Sequence, residues 1–189
     1  RTDYAFDVSD NKTFQPFFRF SAPSITITPA ATTTASQNFQ ASADLFSSNM
    51  VGEKIEFTDS AGTIVQISIT AFTDAQNVTG TLSAAIANTN ARDTFKEQVF
   101  STRKGFARSV TFHDQRLIFG GSRDLPNHLF MSKAGEFFNF DVGTGLDDES
   151  IQVQIAENQI SEIKSLASFR HLVIFTSEQE LYVLSLIHI

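Results

Sequence analysis

The chain contains no cysteine and no tryptophan. The first absence excludes disulfides, thiolate metal sites, iron–sulfur clusters and a cysteine nucleophile. It leaves the compartment open, because a chain without thiols is indifferent to redox. With 4 Pro and 9 Gly in 189 residues, the composition is neither collagenous nor low-complexity throughout. Positive charge is also in short supply: 14 Lys and Arg face 21 Asp and Glu, giving a net charge of −7. That balance argues against the whole chain being a general nucleic-acid binder, which needs clustered cations to neutralise phosphates. No apolar run approaches the length of a membrane span, and the polar opening from Arg1 lacks the basic-then-apolar pattern of a secretory signal. What is present is a 41% hydrophobic content with 20 Phe, enough to build a sizeable core.

The patterning is that of strands. Residues 1–91 are rich in Thr, Ser, Ala and Asn, with short runs in which β-branched residues alternate with small or polar ones. Ser24 to Thr28 alternates and ends at Pro29; Ala30 to Ser42 reads as a polar connection outside the core. Val51 to Phe57, the turn Asp59-Ser60-Ala61-Gly62 and Thr63 to Phe72 read as a hairpin, with Val65, Ile67 and Ile69 on one face. Asn77 to Ile86 is a further strand, in which Leu82 to Ala87 has an alternative reading as a short helix. The expected fold class is all-β: a small N-terminal barrel or sandwich of roughly five strands over 1–91, then a connector over 92–108.

Over 109–183, Ser109 to Phe119 reads as one strand, Gly120-Gly121-Ser122 as a tight turn and His128 to Ser132 as a second strand. Ile151, Val153 and Ile155 alternate with glutamines, and Ile163 and Leu166 lead into Phe169 to Phe175 and Glu180 to Val183. Phe119 and Phe175 each end an apolar run, at an offset of 175 − 119 = 56, with Ser109 and Ser165 in matching places before them. Leu129 and Leu181 lie 181 − 129 = 52 apart. A repeated strand pair at that interval is compatible with the start of a β-propeller, and equally with any β-rich chain. Leu184 to Ile189 reads as the translation of a sequencing-library adaptor, with a genuine apolar strand end as the other reading.

Candidate chemistry is sparse. Gly120-Gly121-Ser122 lacks the Lys of a phosphate cradle. His113-Asp114 lies near serines, but neighbours on one strand point to opposite faces and so cannot serve as base and orienting carboxylate. The histidines at 113, 128, 171 and 188 lack ligand spacing. Asp141, Asp147, Asp148 and Glu149 form an acidic loop that reads as a solvated turn, a Ca²⁺ site of unfamiliar spacing or an acceptor for a neighbouring subunit's Arg. Arg103, Lys104, Arg108 and Arg116 form the best basic strip, with Phe106 and Phe112 interleaved for base stacking; a salt-bridged strand face is the plainer reading. Phe137-Phe138-Asn139-Phe140 is a hydrophobic anchor that, if extended, puts Phe138 and Phe140 on one face, in the core or at a subunit contact. No catalytic residue, metal ligand or cofactor is expected.

One ordered series of motifs carries a resemblance. Phe112-His113, Gln115-Arg116-Leu117, Phe119-Gly120-Gly121-Ser122, Pro126-Asn127, Ser132-Lys133, Gly135, Phe137-Phe138-Asn139-Phe140 and Asp147-Asp148 followed by Ile151 stand in a fixed linear order. Together they resemble the tail nozzle proteins, or tail tubular protein B family, of short-tailed bacteriophages. The resemblance covers the second half of the chain; near Phe95, Phe100 and Phe130 relatives often carry Trp where this chain has Phe. It implies a structural virion protein, not an enzyme, assembled in the host cytoplasm. Such a protein forms a homo-oligomeric ring, usually of six copies, beneath portal-associated adaptor proteins, with propeller domains around a channel that passes DNA without specific binding. In that setting Arg116, Phe137, Phe138, Phe140, Asp147 and Asp148 shape blades and subunit contacts.

Overall fold

The computed structural model describes residues 6–9, 11–143, 145–155 and 161–183. These fall into two units, the first from residues 8–13 and 17–103, the second from 6–7, 14–16 and 104–183. The expected adaptor-derived tail, 184–189, lies outside the described residues. The chain is all-β: strands in antiparallel sheets, no α-helix and a single 3-10 turn at Ser48–Met50 among the described residues. None of these sheets closes into a barrel, and no helix there is long and apolar enough to cross a membrane.

In the first unit, β1 (Val8–Ser9) and β2 (Lys12–Thr13) form a small hairpin. The main sheet contains β3 (Phe17–Phe18), β4 (Ile27–Pro29), β5 (Gln37–Ala41), β6 (Lys54–Thr58), β7 (Ile64–Asp74), β8 (Asn77–Leu82) and β9 (Lys96–Gln98). Their spatial order is β3-β9-β6-β7-β8-β5-β4, antiparallel throughout. Alternation explains the core: Ile55 and Phe57, Val65, Ile67 and Ile69, and Val78 and Leu82 all turn to the buried side, where they meet Ile27, Phe39 and Phe95. The expected barrel or sandwich is thus one open seven-stranded sheet. Its edge strand β4 is reached by Arg92, which exchanges two backbone hydrogen bonds with Ile27 at 2.8 and 2.9 Å.

Two expectations change here. Ala30 to Ser42 was expected to be a polar connection, yet it contains β5, paired with both β4 and β8. Its inward side is Gln37, Phe39 and Ala41, and the Gln37 amide is satisfied by Ala31 N and Thr33 O, so a polar residue is accommodated in the core. Residues 92–108, expected as a connector, hold β9 and the fully buried Phe95. Leu82 to Ala87 forms no helix.

The second unit has two sheets. The first is β10 (Ser109–His113), β11 (Arg116–Gly120), β12 (His128–Met131) and β13 (Ile151–Gln154), in that order. The second is β14 (Ile163–Ser168), β15 (Leu172–Thr176) and β16 (Glu180–Val183). Ile118, Leu129 and Met131 of one sheet share a core with Ile163, Leu166, Leu172 and Ile174 of the other. Ser109 to Phe119 is therefore not one strand. Asp114 and Gln115 take positive φ values of 45° and 59°, the signature of a two-residue type I′ hairpin turn, here built without glycine.

The internal repeat survives with altered registers. Val110 pairs with Phe119 as Ser165 pairs with Phe175, so Ser165 occupies the place of Val110 and not of Ser109. The cause is the hairpin loop, two residues at 114–115 but three at 169–171. Likewise Ile118 pairs with Met131 and Ile174 with Leu181, which moves the matching partner of Leu181 from Leu129 to Met131.

Candidate functional site

The motif residues converge on a buried polar node in the second unit. Arg116 opens β11 directly after the hairpin turn, and its side chain is 4% exposed. Its Nη1 donates to Ser132 O and Glu149 O, both at 2.6 Å, and its Nη2 donates to Asp147 O. Burial pushes the Arg116 pKa down, and the Asp148 carboxylate opposes that shift. A guanidinium keeps its charge in proteins, so here carbonyl dipoles take the place of its water.

Around it, each motif residue holds backbone. Ser132, fully buried, accepts from Leu117 N at 3.0 Å and donates to Lys133 O at 3.0 Å. Gly135 N donates to Gln115 O and Ala134 N to Asp148 O, tying the 133–136 turn to the hairpin turn and the acidic loop. Asn139 donates to Glu136 Oε2 at 2.7 Å and accepts from Asp141 N at 3.0 Å. The acidic loop is itself pinned by Glu149, whose Oε2 accepts from Gly145 N and Leu146 N. Two of its backbone carbonyls, those of Asp147 and Glu149, accept from Arg116, while residues Asp147 and Asp148 are exposed. Among the described residues no group of three His, Asp or Glu is arranged to hold a metal ion.

A second cluster seats β14. A Cβ on Gly120 would lie 2.9 Å from Leu166 Cδ1 and 3.0 Å from Ile163 Cγ2, and one on Gly121 would lie 2.8 Å from Pro126 O. The Gly-Gly pair is thus a landing place for the next strand as well as a turn. Pro126 O accepts from Ile163 N at 2.9 Å, and Asn127 brackets Ile155 with its own carbonyl and its side-chain amide. Asn127 Oδ1 also lies 3.0 Å from His128 Nδ1.

The four phenylalanine-anchor residues do not extend as a strand. Phe137 and Phe138 lie in a turn, and the local alternation expected for them is absent. Phe140 is buried, stacked on Phe119 at 5.3 Å and edge-on to Phe6 at 5.7 Å. Since Phe119 alternates with Ile118, this aromatic group covers the sheet face opposite the one that meets β14–β16. Phe137 is 38% exposed and lies edge-on to Phe112, itself 57% exposed, at 5.1 Å.

The basic strip is consumed internally. Arg103 reaches Glu53 at 3.0 Å and Glu97 at 2.8 Å, Lys104 lies 4.0 Å from Asp124, and Arg108 lies 2.6 Å from Glu162. With Arg116 turned to carbonyls, the salt-bridged reading fits these cations and a phosphate-binding strip does not.

One contact escaped the sequence reading. His113 Nδ1 lies 2.9 Å from Ser168 Oγ, and His113 Nε2 lies 3.4 Å from Asp114 Oδ2. The argument that neighbours point apart holds within a strand, but Asp114 belongs to the turn, where positive φ swings its carboxylate back beside the imidazole. Ser168 is separated by 55 residues from His113, and no local spacing reveals the pair. No protein-family model matches the chain, and no curated protein matches it.

Proposed function

We propose that this chain is part of a structural virion protein of the tail nozzle type found in short-tailed bacteriophages. It contributes to a ring-shaped channel for genome ejection, built from several copies and docked on portal-associated adaptor proteins. The observation that carries the reading is the ordered motif series from Phe112 to Ile151, whose Arg116 supports an assembly role because it holds three backbone carbonyls. The strand-by-strand match of β10, β11 and β12 with β14, β15 and β16 supports taking 109–183 as consecutive propeller blades. So does the lateral approach of their first strands, where Leu166 N donates to Ser109 Oγ at 2.8 Å. An acidic chain whose Arg103, Lys104 and Arg108 are internally paired suits a channel that passes DNA without retaining it.

A carbohydrate-binding or adhesin-type module is the second reading, favoured by the exposed Phe106, Phe112, Phe169 and Tyr182. Phe112 and Phe137 meet at 85°, which is poor geometry for the flat platform that stacks on sugar rings. Negative-stain microscopy of the full-length protein separates the two. Ring-shaped particles with several copies are expected; a monodisperse monomer that binds glycans overturns the nozzle assignment.

A further inference from the structure

We propose that Ser168 is an activated nucleophile, with His113 as its general base and Asp114 as the carboxylate that orients the imidazole. The three groups lie together inside the second unit, Ser168 in hydrogen-bond contact with His113 and Asp114 within ion-pair reach of it. Asp114 Oδ2 stands 3.4 Å from Nε2 and favours the tautomer with its proton on Nε2. That leaves the Nδ1 lone pair facing the Ser168 hydroxyl at 2.9 Å, so the hydroxyl donates to it. The His113 side chain is 6% exposed, which limits its rotamers, whereas Ser168 is open to solvent and therefore to a reagent. The fold supplies this arrangement from two hairpins: β10 ends at His113 and turns through Asp114, and β14 ends at Ser168 beside it. The same positions in the repeat, His113 on β10 and Ser168 on β14, thus become partners across the two sheets. Functional relays are recognised by geometry and role, not by chain order.

The substrate class is an activated carboxylic ester or a phosphonyl halide with an apolar group. Phe169, 72% exposed and adjacent in sequence, offers that group a surface. In the step with an aryl ester, a bond forms between Ser168 Oγ and the acyl carbon while the bond from that carbon to the aryloxide breaks. The Oγ proton passes to His113 Nδ1 and then to the departing aryloxide, leaving acyl-Ser168 and a phenol. With a fluorophosphonate the Oγ–P bond forms, the P–F bond breaks and fluoride leaves as the Oγ proton passes to His113. Nothing else is consumed.

The test is labelling of the chain by an aryl fluorophosphonate, followed by intact mass and peptide mapping. One adduct on Ser168 is expected, formed at least tenfold faster than any adduct on Ser165, which is exposed on the same strand and lacks a histidine partner of this kind among the described contacts. His113→Gln is expected to slow it at least tenfold, and Asp114→Asn, at an exposed turn position, to slow it less while circular dichroism stays unchanged. Equal labelling of Ser168 and Ser165 in the unaltered chain overturns the proposal. So does an unchanged Ser168 rate in a folded His113→Gln variant or, where that variant does not fold, in Asp114→Asn.

Discussion

The two units solve the same problem, burying β-sheet faces, by different means. The first spreads one seven-stranded sheet over a core of Ile27, Phe39, Ile55, Val65, Ile67, Ile69 and Phe95, in which side-chain alternation does almost all of the organising. The second divides its strands into two small sheets, whose shared core is narrower, and relies on a buried guanidinium and on polar side chains to fix the loops between strands. The difference shows what long connections require. β12 and β13 are separated by the residues 132–150, and that much chain carries carbonyls and amides that must find partners when packed. Arg116, Ser132, Asn139 and Glu149 provide them.

The contrast is sharpest under truncation. Phe39→Ala in the first unit is expected to cost about 3–5 kcal/mol, as is typical of a fully buried aromatic. Hydrogen exchange should then rise through β5, β7 and β8, with the 132–150 loops little changed. Arg116→Met is expected to cost about 3 kcal/mol or more although it keeps a hydrophobic stem, because three carbonyls lose their donor. Exchange should rise at Ala134, Gly135 and Glu149, whose amides belong to the same knot of loops. If Arg116→Met leaves those amides protected, the node is dispensable and the two units are organised alike. Chemical denaturation monitored by circular dichroism supplies the energies.

A smaller effect, about 1–3 kcal/mol, is expected for Gly120→Ala. The added methyl group would press on Leu166 and Ile163 across the sheet contact, and both are flexible enough to yield partly. Unchanged denaturation midpoints would mean that β14 is seated by Pro126 and Asn127 alone.

These sites differ in how far the amino-acid order announces them. Val65, Ile67 and Ile69 declare their strand by period-2 alternation, and the turn at Asp59 to Gly62 by its residue types; Asp59 Oδ1 accepts from Ala61 N and Thr63 N. β5 is silent because its inward side has only one large apolar residue, Phe39, between Gln37 and Ala41. The hairpin at Asp114-Gln115 is silent because a type I′ turn usually advertises itself with Asn or Gly. The repeat was visible, but loop lengths of two and three residues shifted its registers by one position. Of the motif node, the residues were legible as an ordered series while their partners were not: Arg116 bonds to backbone carbonyls, which every residue possesses and no spacing encodes. The Ser168 contact is more hidden still, since it exists only once two hairpins lie side by side.

The smallest expected effect concerns pH and distinguishes the second unit once more. His128 opens β12 against Asn127 and Phe130, and burial lowers its pKa from the usual imidazole value. A base whose pKa is lowered on folding takes up its proton more readily in the unfolded chain. Stability therefore is full above about pH 6.5, the ordinary imidazole value, and is lost as pH falls from there through the folded-state pKa. His128→Gln should flatten this acid limb relative to the unaltered chain, and the difference between the two pH profiles isolates the one imidazole from the many carboxylates. The first unit has no histidine, so its exchange-derived stability should show no matching inflection between pH 5 and 7. Equal inflections in both units would place the titrating group elsewhere than at His128.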